Sequence, residues 1–279
     1  MSVPLIAGNW KMNGLAADLV EVEALARMLR RRSPHQARVA LCAPATLIER
    51  MARRLVGFDV LVGGEDCHAK CRGPHTGEIS AEMLAEAGAR LVLVGHSERR
   101  ADQGETDAMV GAKAAAALRA GLEPVICVGE TAAQRQRGLA LEVVRRQIAR
   151  SVPTSLPDAD LQLARVTIAY EPVWAIGADQ VPTLDEIEEA HAAIRDALIK
   201  HLGERGRGLN ILYGGSVTPE NAGRILSAAE VGGALVGRAA MKADDFFRVV
   251  EAADRVWQAG ESAAATIGHS APQTEAPHP

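Results

Sequence analysis

The chain has 279 residues, a formal net charge of −4 and 48% hydrophobic residues. That length outruns most single sandwiches and suits one α/β barrel or a two-domain α/β enzyme, while the mildly acidic balance leaves no footprint for nucleic acid. No stretch of 18 or more apolar residues occurs, and four cysteines in so long a chain make no disulfide framework, so neither a membrane span nor a disulfide scaffold is expected.

From the amino end, Met1-Ser-Val-Pro-Leu5 has no basic segment leading into an apolar run, and a reducing cytoplasm is the expected setting. Short runs rich in Val, Ile and Leu then recur at 3–10, 37–43, 59–63, 89–96, 124–129, 165–170, 209–214 and 233–237, and read as buried parallel strands. Cys42 and Cys127 fall inside two of them as small core residues. Helical patterns lie between the runs. A basic run over 27–32 ends the first helix and complements its dipole. Gly88 and Gly121 fall where helices stop. Thr183 and Glu186 form a capping box before a helix whose Leu184, Ile187, Ile194 and Leu198 share one face. Thr218-Pro219 reads as a cap followed by proline at the first helical position.

Eight strand–helix units are the number that closes a (β/α)8 barrel of parallel strands; a doubly wound open sheet is the alternative. One catalytic domain is expected over 1–258, and 259–279, rich in Ala, Ser, Pro, Thr and His without periodicity, reads as a disordered tail.

In such barrels the chemistry sits at the C-terminal ends of the strands. Asn9, Lys11, His96, Ser97, Glu98, Glu130, Glu171 and Ser216 would converge there. Lys11 would offer a fixed positive charge to a phosphate and to a developing oxyanion, though most lysines are simply exposed. His96 precedes residues able to start a helix, whose amides would lower its pKa and keep the ring neutral. Glu171, flanked by proline and apolar residues, would be desolvated into a better base near neutral pH, although a salt-bridged glutamate fits the same position. Gly177, Gly214-Gly215-Ser216 and Gly237 would give backbone amides to a phosphate. The segment Cys67-His68-x-x-Cys71-x-x-x-His75 is spaced too irregularly for zinc, and no metal is expected.

Five segments in order, Gly8-Asn-Trp-Lys-Met-Asn-Gly14, Thr76-Gly-Glu-Ile-Ser80, Gly95-His-Ser-Glu-Arg-Arg100, Ala169-Tyr-Glu-Pro-Val-Trp-Ala-Ile-Gly177 and Leu212-Tyr-Gly-Gly-Ser-Val-Thr-Pro-Glu220, resemble the triosephosphate isomerase family. The resemblance runs from Val3 to about Lys242. It implies a single-domain TIM barrel and a glycolytic isomerase of dihydroxyacetone phosphate and D-glyceraldehyde 3-phosphate, without metal or organic cofactor. It implies Glu171 as the base, His96, Lys11 and Asn9 as stabilisers of an enediolate, and Glu98 as the partner orienting Lys11. The phosphate would be held by Lys11, Asn9, Gly177, Ser216, Gly237 and Arg238, under a lid over 172–182 with Trp174 and Ile176 at its tip. A homodimer is implied, its loop 66–79 reaching the other subunit's site with Thr76 at the tip.

Two departures stand out. Ala178-Asp-Gln-Val-Pro182 replaces the family's usual Thr-Gly-Lys-Thr-Ala. The amide that would donate to the Tyr213 hydroxyl on lid closure is thereby lost, because proline has no N–H. Arg238 replaces a common glycine. These leave two alternatives, an isomerase of a four-carbon ketose phosphate and a non-catalytic phosphate-binding barrel.

Overall fold

A computed structural model describes residues 3–154, 166–177 and 181–268, with side chains to residue 259. Eight parallel strands close into a barrel in sequence order: β1 Leu5–Asn9, β2 Arg38–Cys42, β3 Leu61–Gly64, β4 Leu91–Val94, β5 Glu123–Val128, β6 Thr167–Tyr170, β7 Asn210–Tyr213 and β8 Gly233–Val236. Closure is made by β1, which pairs with β2 at Leu5↔Arg38 and with β8 at Leu5↔Gly233. The open sheet is excluded. Each expected strand overlaps an observed one.

Around the strands run α1 Leu19–Arg32, α2 Ala45–Arg54, α3 Ala81–Glu86, α4 Ser97–Asp102, α5 Asp107–Arg119, α6 Ala132–Gln136, α7 Ala140–Ser151, α8 Leu184–Leu202, α9 Ala222–Leu226 and α10 Ala243–Gly268. Strand side chains alternate between two cores, as the pleat requires. Leu5, Ala7, Leu91, Leu93 and Leu212 fill the barrel, whereas Ile6, Val92, Ile126, Ile168 and Ile211 face the helices. Cys42 and Cys127 lie within the barrel, where burial pushes both thiols up.

Local signals act as expected at several helix ends. Thr183 Oγ1 accepts from the Glu186 amide at 3.3 Å while Glu186 Oε2 accepts from the Thr183 amide at 2.8 Å, capping α8. After α5, Gly121 takes φ 77° and the Leu122 amide reaches back to the Ala117 carbonyl at 2.9 Å, a Schellman closure. The basic run does end α1, but Arg30 stacks over the Phe58 ring at 4.6 Å and Arg32 pairs with Glu251. Two expectations change. Thr218 and Asn221 exchange side-chain bonds to each other's amides, closing a turn, so the helix begins at Ala222 rather than at Pro219. The last helix continues to Gly268, beyond the boundary expected at 258; residues 269–279 of the expected tail lie outside the described residues.

His191 on α8 is fully buried. Its Nδ1 donates to the Glu230 carbonyl at 3.2 Å, and its ring meets the Tyr170 ring edge-on. Burial pulls its pKa down to about 4, against the smaller pull of Glu230 upward. The unfolded chain therefore takes up a proton below about pH 6.5 that the folded protein refuses until about pH 4. Stability drains away across that window, by on the order of 3 kcal/mol. Urea unfolding midpoints at pH 7 and pH 4.5 test this. The fall between them should be clearly smaller in His191→Gln than in the parent; equal falls would refute the assignment.

Candidate active site

The turn after β1 is shaped by its own side chains. Asn9, nearly buried, accepts the Lys11 amide on Oδ1 at 3.0 Å, and Lys11 takes φ 56°, a left-handed conformation that a side chain normally avoids. Trp10 is packed beneath, its indole N–H donating to the Ala240 carbonyl at 3.0 Å beside β8. So held, Lys11 is no drifting surface lysine. Its Nζ lies 2.5 Å from Glu98 Oε1 in α4.

His96 follows β4 and caps α4. Its Nδ1 accepts the Glu98 amide at 3.3 Å, which places the ring's proton on Nε2, and Nε2 lies 2.8 Å from Glu171 Oε1. The helix amide thus selects the tautomer. The pKa moves the other way, however. Burial lowers it, but the charge and hydrogen bond of Glu171 outweigh burial and leave it raised. The expected lowering is corrected by a neighbour from another strand.

Glu171 follows β6 and is 2% exposed. Both oxygens are engaged: Oε2 accepts the Ser97 amide at 2.9 Å, and Oε1 accepts the Ser97 hydroxyl at 3.2 Å as well as the His96 bond. Among the described residues no lysine or arginine touches it, and its oxygens are met by oriented donors. Two glycines make room for it. A Cβ on Gly129 would stand 1.7 Å from the Glu171 carbonyl, and one on Gly214 would stand 3.0 Å from Glu171 Cγ.

A second cluster faces the start of the expected lid. Glu130, fully buried after β5, accepts Trp174 Nε1 at 2.7 Å and the Tyr170 hydroxyl at 3.2 Å. Arg135 of α6 pairs with Glu130 and lies 4.3 Å over the Trp174 ring. Glu130 was visible as a polar strand end; nothing in the sequence marked Arg135. Gly177 takes φ 71°, and residues 178–180 of the expected lid lie outside the described residues. Pro182 is buried, and the buried Tyr213 hydroxyl meets no partner among the described residues.

Ser216 follows β7, its carbonyl accepting Asn221 Nδ2 at 2.9 Å. Gly237 and the exposed Arg238 follow β8, where a short helical turn over Arg238–Met241 begins. The structure therefore brings Asn9, Lys11, Glu98, His96 and Glu171 into one chain of contacts. It places Gly177, Ser216, Gly237 and Arg238 on the neighbouring ends of β6, β7 and β8. The cysteine–histidine segment behaves otherwise. Cys67 is buried against the Lys113 carbonyl, Cys71 is exposed, and the His68 and His75 rings stack at 4.2 Å.

A parallel barrel whose rim sets a buried carboxylate against an imidazole and an ammonium defines an enzyme of proton transfer, an aldose–ketose isomerase by class. The family model for triosephosphate isomerase matches residues 4–253. The triosephosphate isomerase of Caulobacter vibrioides is 53% identical over 249 residues, covering 89% of this chain and 96% of that protein. That of Hyphomonas neptunium is 52% identical over 245 residues, covering 88% and 96%. The crystal structure of triosephosphate isomerase from Bartonella henselae superposes with a TM-score of 0.82 at 43% identity, covering 90% of this chain and 99% of that one. The chain belongs to the triosephosphate isomerase family.

Gly214→Ala probes the packing around the carboxylate. Its methyl would press on Glu171 Cγ and on the Tyr170 carbonyl at 3.1 Å. Displacing this carboxylate by even a few tenths of an ångström should lower kcat roughly tenfold or more. The change in Tm should be small, because strand pairing is untouched. A normal kcat in a folded variant would show that Glu171 tolerates the shift.

Proposed function

We propose that this isomerase interconverts dihydroxyacetone phosphate and D-glyceraldehyde 3-phosphate, within glycolysis and gluconeogenesis, on the barrel over 1–258. The observation that carries the reading is the contact chain from Lys11 through Glu98 and His96 to Glu171 at the barrel's rim. A substrate entering between His96 and Glu171 replaces their mutual bond. Glu171 is then free to take a proton from the carbon beside the carbonyl, a step limited by that carbon's weak acidity. The developing oxyanion falls to the Nε2–H of His96, to the Lys11 ammonium and to Asn9, all fixed before the reaction begins. Glu171 returns the proton to the neighbouring carbon. No step calls for a metal or organic cofactor.

Backbone amides of Gly177, Ser216, Gly237 and Arg238 hold the phosphate, with Lys11 supplying charge. The lid over 172–182 excludes water from an intermediate that would otherwise eliminate phosphate. With Pro182 lacking an N–H, closure relies on Trp174 and Ser216 rather than on Tyr213.

We also infer a cytoplasmic homodimer. A hollow of about 430 Å³ opens beside Lys11 and Glu98 and reaches Met12 and Ile79. Met12 is 97% exposed, and Leu15, Ile79 and Met83 are exposed as well. So large an apolar display calls for a partner. The exposed loop 66–79 of a second copy, Thr76 foremost, fits the hollow.

A coupled assay of purified protein with three- and four-carbon ketose phosphates tests the substrate. The three-carbon kcat/KM should dominate, and Glu171→Gln should lower kcat by about 10²–10⁴. Activity confined to the four-carbon substrate, or absent in folded protein, overturns the reading. Tyr213→Phe should change kcat by less than about threefold, since its buried hydroxyl meets no partner among the described residues and has little to lose. Sedimentation velocity should give a dimer; a stable monomer of full activity would remove the inferred second copy.

A further inference from the structure

The end of β5 is held from outside the barrel by one side chain. Gln147 of α7 is 6% exposed, on a buried helix face that it shares with Val143, Val144 and Ile148, and α7 packs against α5 and α8. Its Oε1 accepts the Gly129 amide at 2.7 Å, and its Nε2 donates to the Gly129 carbonyl at 3.2 Å. Both groups of the side chain thus go to the backbone of a single residue. β5 ends one residue earlier, at Val128, whose carbonyl accepts the Glu171 amide at 2.7 Å. Buried peptide groups need partners, and here a primary amide supplies donor and acceptor together, as the peptide of a further strand would. The chemistry proposed above does not use Gln147.

Gly129 in turn is pressed against the base. A Cβ at Gly129 would stand 1.7 Å from the Glu171 carbonyl oxygen and 2.7 Å from its carbon, so the two backbones meet with no room for a methyl. Close-packed atoms transmit displacement. A shift of Gly129 toward β6 therefore moves the Glu171 peptide, and with it the carboxylate. At the other end of the Glu171 side chain, the Ser97 amide, the Ser97 hydroxyl and His96 hold the oxygens. The base is located from two sides, and Gln147 fixes the backbone side.

We propose that Gln147 is a positioning residue for Glu171: by clamping the Gly129 peptide it sets where the base stands relative to His96 and the substrate carbon. It acts through Gly129 and takes no part in proton transfer. The inference rests on the isomerase reading, in which Glu171 is the base.

The test is a double-substitution cycle read in steady-state kinetics on the triose phosphates. Gln147→Met keeps the length of the side chain but offers no N–H and only a weak acceptor. Its kcat should fall roughly tenfold, the scale expected when a reacting group is displaced by part of an ångström, while KM stays within about twofold. In a Glu171→Gln background no base remains to be misplaced, and Gln147→Met should lower kcat by less than about twofold further. A merely structural role would lower both backgrounds alike. Equal losses in the two backgrounds, an unchanged kcat, or a loss confined to KM overturn the proposal. If Gln147→Met does not fold, Gln147→Glu repeats the comparison, since it keeps an acceptor for the Gly129 amide and loses the donor to the carbonyl. Failure of both variants to fold overturns the proposal in favour of a structural role. Inactivity of the folded parent overturns the isomerase reading and this proposal with it, and is told apart because the parent itself is then silent.

Discussion

The site exists because a parallel sheet is closed on itself. With β1 bonded to β8 on one side and to β2 on the other, all eight strands run the same way and all their C-terminal ends open on one rim. Asn9, Glu65, His96, Glu130, Glu171, Ser216 and Gly237 each end or follow a different strand. No single segment of the chain holds the chemistry, and an open sheet with a free edge between β8 and β1 would part Asn9 from Gly237. Parallel neighbours also forbid tight hairpins, so each connection carries a helix and the rim gains amide-rich helix starts such as that of α4. The Trp10–Ala240 bond seals the seam where the first and last strands join, one residue from Lys11.

Closure crowds acids together, and the rim handles each differently. Glu171 accepts from the Ser97 amide, the Ser97 hydroxyl and His96. Glu98 is spent on Lys11. Glu130 is spent on Tyr170, Trp174 and Arg135. Asp66 and the buried Glu105 share Lys113 and Arg99. Such buried pairs add little net stability, since desolvation offsets their attraction. Their effect is geometric: they bind the base of the loop 66–79 to α4 and α5, so the two walls of the hollow keep their spacing.

Much of this could be read from the chain. Eight apolar runs of strand length gave the barrel, because parallel strands are buried on both faces and cannot hide a polar alternation. Lys11, His96 and Glu171 could be read because each directly ends or follows such a run. What escaped the reading depends on neighbours remote in sequence. The His96 pKa is set by Glu171, a residue of another strand, and local helix amides pointed the other way. Arg135 reaches Trp174 only after the β5–β6 crossover folds back. The start of α9 turned on Asn221, which competes with Pro219 by a side-chain exchange that composition does not reveal.

The cluster around Glu130 also restrains the residues that follow β6. At their near end, Trp174 gives its indole N–H to a buried carboxylate, a bond worth about 1.5–3 kcal/mol. It also lies under the Arg135 guanidinium, a contact worth about 0.5–2 kcal/mol. At the far end Pro182 has no N–H to offer, and the Tyr213 hydroxyl beside Gly215 meets no partner among the described residues. Among the described residues, the interactions restraining the segment are therefore concentrated beside Glu171. Any motion of Trp174 away from this cluster releases Glu130, and Arg135, bonded to both Glu130 and Glu186, stays behind to neutralise the carboxylate. Arg135 thus makes the release of Trp174 tolerable, because it prevents Glu130 from being left buried, charged and alone.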